Sequence, residues 1–170
     1  VLRKTGVLSE EQAQVLQEEI AVNKLRAAAN SEQLQAAWKQ LPRTVVQRAA
    51  VVEAFAVAAT KLGQTDLAEP AIATSLKNAW NPSLILRYGD PASADRIKRI
   101  KQCEKWLQQY PADASLHLAL GRLCAGESLW GKAREHMVRS LELEASSLGY
   151  DAFGQLLERR GELELAMACF

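Results

Sequence analysis

Apolar residues along this chain recur three and four positions apart, the spacing of helices with one buried stripe. The first stripe, Val15, Leu16, Ile20, Leu25 and Ala28, follows Ser9-Glu10-Glu11-Gln12. That tetrapeptide is a capping-box pattern, so a helix of about two dozen residues is predicted to start there. Asn30-Ser31-Glu32-Gln33 opens a shorter helix carrying Leu34, Ala37, Trp38 and Leu41. Pro42 ends it, because proline has no amide hydrogen and cannot extend the ladder. Further helices are expected over 45–62 (closed by Gly63), 65–79, 83–88 (ended by Gly89-Asp90-Pro91), 92–109 (closed by Tyr110-Pro111), 113–125, 129–143, 147–160 and from 162 onward. The turns between them are short, which makes successive helices antiparallel neighbours.

A repeat runs through these helices. Leu120-Gly121 is followed, twelve residues after the glycine, by Ala133, and 33 residues later the same arrangement returns as Phe153-Gly154 and Ala166. Between them Cys124 matches Leu157, Trp130 matches Leu163 and Met137 matches Phe170. A weaker copy has Val52, Phe55, Ala56 and Ala59 on a first helix, Gly63 at the turn, and Ala68, Ile72 and Ser75 on a second. A degenerate copy spans Trp80 to Pro111, with Leu86, Cys103 and Trp106 in apolar positions. Gly and Ala carry no catalytic chemistry; at fixed places on paired helices they let two backbones approach. The pattern resembles the tetratricopeptide repeat. That resemblance implies an all-α fold, a right-handed superhelix of tetratricopeptide-like antiparallel helix pairs sharing one continuous core. The expected organisation is an N-terminal helical pair over 1–48 packing on an array over 49–170, with units at about 49–79, 80–113, 114–146 and a truncated 147–170.

Composition supports helices and narrows function. Ala, Leu, Gln, Glu, Arg and Lys dominate, and the few Gly and Pro lie largely between periodic stretches. Lys plus Arg number 21 against 20 for Asp plus Glu, a net charge of +1, which removes the electrostatic warrant for nucleic-acid binding. Cys103, Cys124 and Cys169 are odd in number, widely spaced and without a CxxC, so neither a disulfide framework nor a zinc site is expected, and free thiols fit a reducing compartment. No apolar run approaches the ~20 residues that cross a bilayer, and VLRKTGVLSEEQ is not a signal peptide. Since the sequence opens without Met and stops inside a periodic stretch, it is expected to be a piece of a longer protein whose anchors lie elsewhere.

The chemistry-bearing residues are few. No GxSxG, HExxH or phosphate-cradling glycine loop is present, and no nucleophile and base stand together, so no catalytic, cofactor or metal residue is nominated and the chain is expected not to be an enzyme. His117, near the start of a first helix, is expected to be packed, and His136, on a second helix, to face outward. Cys103 and Cys124 occupy core positions of the repeat, where a free cysteine acts as a small hydrophobe. Arg96-Ile97-Lys98-Arg99-Ile100-Lys101 concentrates four cations that would suit acidic lipid or an acidic partner; Ile97 and Ile100 share a face, which favours a helix with its cations in solvent. In a tetratricopeptide-like array the first helices line the concave, partner-binding surface. That register nominates Glu53, Val57, Lys61, Tyr88, Leu118, Arg122, Asp151, Gln155 and Arg159. The set lacks the Lys/Asn combination with which some such domains clamp the C-terminal carboxylate of chaperones.

Four local sequences narrow the resemblance: Trp38-Lys-Gln-Leu-Pro-Arg43, Asn81-Pro-Ser-Leu-Ile-Leu-Arg-Tyr-Gly89, Glu104-Lys-Trp-Leu107 before Tyr110-Pro111, and Leu120-Gly-Arg-Leu-Cys124 running on to Leu129-Trp-Gly-Lys-Ala133. Together they resemble the bacterial HemY family. The resemblance implies an inner-membrane protein with two N-terminal transmembrane helices followed by tetratricopeptide repeats, associated with a late stage of protohaem synthesis and without a defined catalytic site. The repeat, the polar concave surface and that likeness lead to the expectation of a non-catalytic scaffold for partner proteins such as haem-pathway enzymes, and the three unpaired cysteines to its being on the cytoplasmic face. The alternative is a haem or porphyrin carrier or sensor using His117 or a Cys as ligand.

Overall fold

The computed structural model describes residues 9–169, and among them the chain forms eleven α-helices and no strand. It divides between Leu84 and Ile85 into two compact units. The first holds α1 (Glu10–Arg26), α2 (Ser31–Lys39), α3 (Arg43–Val46), α4 (Ala49–Lys61) and a 3-10 turn, Thr65–Ala68, leading into α5 (Glu69–Asn78). The boundary falls within α6 (Pro82–Tyr88). The second unit continues with α7 (Arg96–Leu107), α8 (Ala114–Gly126), α9 (Trp130–Leu143), α10 (Ser147–Arg159) and α11 (Leu163–Met167).

In the first unit Ser9 caps α1 as its pattern predicts: Gln12 N–H donates to Ser9 Oγ at 3.2 Å and Ser9 N–H to Gln12 Oε1 at 3.0 Å. The buried face of α1 differs from the expected stripe. Ala13, Ala21 and Leu25 are buried, whereas Val15 and Ile20 remain 54% and 57% exposed. The helix packs on α4. Each step rotates about 100°, which carries Val15 and Ile20 off either side of that face. The single helix expected over 45–62 is broken at Gln47-Arg48, where Arg48 is extended (φ −73°, ψ 127°). Arg48 donates from Nη2 to Gln14 Oε1 at 3.1 Å. α1, α2 and α3 all pack on α4, so this unit joins the N-terminal helices to the first expected repeat.

The repeat is visible in local geometry. α4, α8 and α10 are each 13 residues long. Each is followed at the same offset by a left-handed residue: Gly63 (φ 67°), Ser128 (φ 57°) and Gly161 (φ 77°). The next amide closes the same six-residue bond, Gln64 to Ala59 at 2.8 Å, Leu129 to Cys124 at 2.9 Å and Glu162 to Leu157 at 2.9 Å. This is the Schellman ending, in which a left-handed residue lets the chain turn back on the helix it leaves. Beyond each turn, Ala68, Ala133 and Ala166 are all essentially buried. Phe170, matched to Met137 in sequence, lies outside the described residues, as do residues 1–8.

In the second unit α8 is buried almost all round, because α7, α9 and α10 pack against it. At Gly121 α9 comes close. A Cβ there would lie 2.6 Å from Met137 Cγ and 3.2 Å from the Ala133 carbonyl oxygen. The Gly-Ala spacing thus marks a close helix crossing.

The basic stretch on α7 is not a row of cations in solvent. Asp95 caps the helix, accepting from Lys98 N–H at 3.0 Å, and turns Arg99, Ile100, Cys103 and Trp106 inward. Arg99 has no exposed surface: its Nη1 donates to the Tyr88 carbonyl at 2.8 Å and its guanidinium lies 5.2 Å over the Tyr88 ring. Arg96 pairs with Glu127 at 2.6 Å, and Ile97 is the isoleucine left 45% exposed. Apolar spacing misled here because a guanidinium stacked on a ring and bonded to a carbonyl tolerates burial.

Candidate functional site

Four of the nominated residues meet in the second unit. Asp151, Gln155 and Arg159 stand four apart on α10 and therefore share one face, and Arg122 joins them from α8. With Pro91, Leu148 and Leu156 they line a groove enclosing about 90 Å³. Gln155 Nε2 donates to Asp151 Oδ2 at 2.9 Å, which fixes the amide. Arg122 is half-buried; burial pulls its pKa down, Asp90 opposes that, Arg87 adds to it and Asp151 opposes it. A partly desolvated guanidinium beside carboxylates and a fixed amide is suited to reading carbonyl and carboxylate groups of an extended chain, since hydrogen bonds to charged donors are the stronger ones.

The other nominated residues are placed differently. Glu53 and Val57 are half-buried and Lys61 is exposed, all on α4 in the first unit. Tyr88 and Leu118 require correction as surface residues, being only 2% and 3% exposed. Tyr88 closes α6 with its ring edge-on to Trp106 (centroids 4.9 Å, 64°) under Arg99. Leu118 is covered because α8 is packed on several sides.

The histidines are a pair. His117 is buried, and its Nδ1 lies 3.1 Å from Nδ1 of half-buried His136. His117 Nε2 lies 3.1 Å from the Pro111 carbonyl, which can only accept, so Nε2 carries the proton. His117 Nδ1 faces His136, whose pKa is lowered by burial first, then by His117. His136 is therefore not simply outward-facing, and both His117 nitrogens are engaged. Cys103 and Cys124 are fully buried; burial pushes their thiols up to about 12 and about 11 respectively, away from the thiolate that binds metals.

Sequence reasoning missed one cleft. In the first unit Trp38, Lys39, Arg43, Phe55, Leu67 and Pro70 help to enclose about 500 Å³, with Trp38 stacked on Phe55 (centroids 4.2 Å, 15°). Its signal was a Trp at the end of an amphipathic helix flanked by two cations and a proline, in the Trp38–Arg43 segment.

Among the described residues no group of three or more His, Cys, Asp and Glu could hold a metal ion, and no helix is long and apolar enough to cross a membrane. No protein-family model, curated protein or solved structure matches the chain.

Proposed function

We propose that the chain is a non-catalytic interaction module, a tetratricopeptide-like superhelical array of the HemY kind that organises partner proteins. In this reading the full-length protein sits at a bacterial inner membrane, anchored by segments outside this sequence. The array faces the cytoplasm, and its partners are enzymes of late haem synthesis. The observation that carries it is the convergence of Arg122, Asp151, Gln155 and Arg159 in one groove. Further support comes from the three Schellman endings, which recur where the sequence repeat places them. The haem-carrier alternative draws no support from His117, Cys103 or Cys124, whose polar atoms are engaged or buried.

Capture of purified late haem-pathway enzymes by the wild-type chain and by the Arg122→Ala/Gln155→Ala/Arg159→Ala variant tests the reading. A loss of at least tenfold in affinity for one enzyme is expected. Equal capture of every enzyme by both proteins, or capture of none, would sink it.

A further inference from the structure

The cleft of the first unit combines a shape and a charge that together define a ligand class. Its apolar part is built from Trp38 and Phe55, stacked ring on ring, with Val46, Leu67, Pro70 and Ala71. α2 ends at Lys39, and Pro42, extended (φ −60°, ψ 148°), is the N-cap from which α3 starts at Arg43. Both cations line the cleft, and no Asp or Glu does. Neither side chain makes a hydrogen bond or ion pair among the described residues. In a chain with 21 basic and 20 acidic residues, two neighbouring cations without counter-charges at one apolar cavity are a local imbalance. The remaining polar groups, the amides of Gln35, Gln47 and Asn78 and the hydroxyls of Thr74 and Ser75, are hydrogen-bonding groups that carry no charge, and Thr74 Oγ1 already donates to the Pro70 carbonyl at 2.8 Å. Beyond Gln47 and Asn78 the neighbouring surface turns polar, with Glu18 and Arg48 4.0 Å apart, which bounds the apolar body a ligand could place there.

We propose that this cleft binds a small amphipathic carboxylate, an aromatic or similarly flat apolar body lodged against Trp38 and Phe55 with its acid group held by Lys39 and Arg43. A cavity of about 500 Å³ lies in the range that takes small molecules, pockets of roughly 300–1,000 Å³ lined mainly by apolar groups with a few placed polar ones. Arg43 supplies a fork that accepts a carboxylate through two bonds, and Lys39 a mobile point charge. The ligand's acid supplies the missing counter-charge, so affinity should weaken with salt.

Calorimetric titration with 2-naphthoate and with its neutral analogue 2-naphthylmethanol tests this. Wild-type protein is expected to bind naphthoate at least tenfold more tightly than the alcohol. The Lys39→Gln/Arg43→Gln variant should lose that preference while binding the alcohol as before, and Ala71→Leu, which fills the cleft, should weaken both. Circular dichroism checks that the variants are folded. Absence of naphthoate binding, or binding indifferent to both variants, overturns the proposal. So does binding of a Leu/Glu amphipathic helical peptide without naphthoate binding, which would make the cleft a peptide groove. These substitutions leave the Arg122 groove untouched, so failure here and failure of the scaffold reading are separately visible.

Discussion

Replacing Gly121 by Ala tests the argument that small residues set the distance between α8 and α9. On helix propensity alone the change should stabilise by about 1 kcal/mol, because glycine is the poorer helix former. The crossing opposes it. The new Cβ would stand 2.6 Å from Met137 Cγ, 3.2 Å from Ala133 O and 3.3 Å from Met137 N. Met137 can turn aside, but it is only 2% exposed and has little room. The other two atoms are backbone, so relieving them moves one helix off the other. Overpacking of this kind costs about 1–3 kcal/mol, and the net expectation is destabilisation of about 1 kcal/mol. Gly131→Ala, in the first turn of α9, is the control: nothing lies within 4 Å of its Cβ position, so it should stabilise by about 0.5–1 kcal/mol. Urea unfolding followed by circular dichroism and tryptophan fluorescence measures both. In a Met137→Ala background the shortest contact disappears and the Gly121→Ala penalty should shrink. If Gly121→Ala stabilises as much as Gly131→Ala, the glycine does not set the crossing and the packing account of the repeat is wrong.

Four further outcomes are expected. Ser128 holds φ 57° without being glycine, so Ser128→Gly should raise stability by about 1 kcal/mol, whereas Gly161→Ala should lower it; urea unfolding reads both. Arg99→Met should cost about 2 kcal/mol, because the buried Tyr88 carbonyl loses a charged donor, and a neutral result in the same assay would show that the hydrogen bond contributes nothing net. His136 has its pKa lowered below 6.5 in the folded chain, so the unfolded chain takes up more protons. Stability should therefore fall as pH drops below about 6.5, and His136→Gln should flatten that part of the pH–stability curve. Titration with a thiol reagent under native conditions should label Cys169 well before Cys103 and Cys124, which are buried; equal rates for all three would contradict the packing.

Much of the helical layout was legible because its signals are local. Ser9, Asn30 and Asp113 cap helices by bonds to amides three residues on, and Gly63 sits at a left-handed turn that its missing side chain makes easy; Asp95 caps α7 in the same way, so that helix starts at Arg96 and not at 92 as expected. Arg122, Asp151, Gln155 and Arg159, nominated from the repeat register, line one groove. The same register put Tyr88 and Leu118 on the surface, since it contains nothing about how many neighbours a helix has. Arg99 was misplaced for a related reason: charge predicts exposure only when no ring and carbonyl wait inside. The Trp38–Phe55 cleft joins residues 17 apart on different helices, and the His117–His136 pair joins residues 19 apart, so neither leaves a periodic trace.

The Arg99–Tyr88 bond also has a kinetic side. The last carbonyl of α6 would normally be left to water, and here it is held by a side chain from the first turn of the next helix. Fraying the end of α6 therefore means stranding a guanidinium that has no exposed surface, so residues 85–88 and α7 should open together or not at all. In hydrogen exchange the Gly89 amide, bonded to Ile85 O at 2.9 Å, should exchange at the rate of the α7 interior and not at that of a loop. Arg99 in effect makes a seven-residue helix, too short to persist alone, part of a longer cooperative segment.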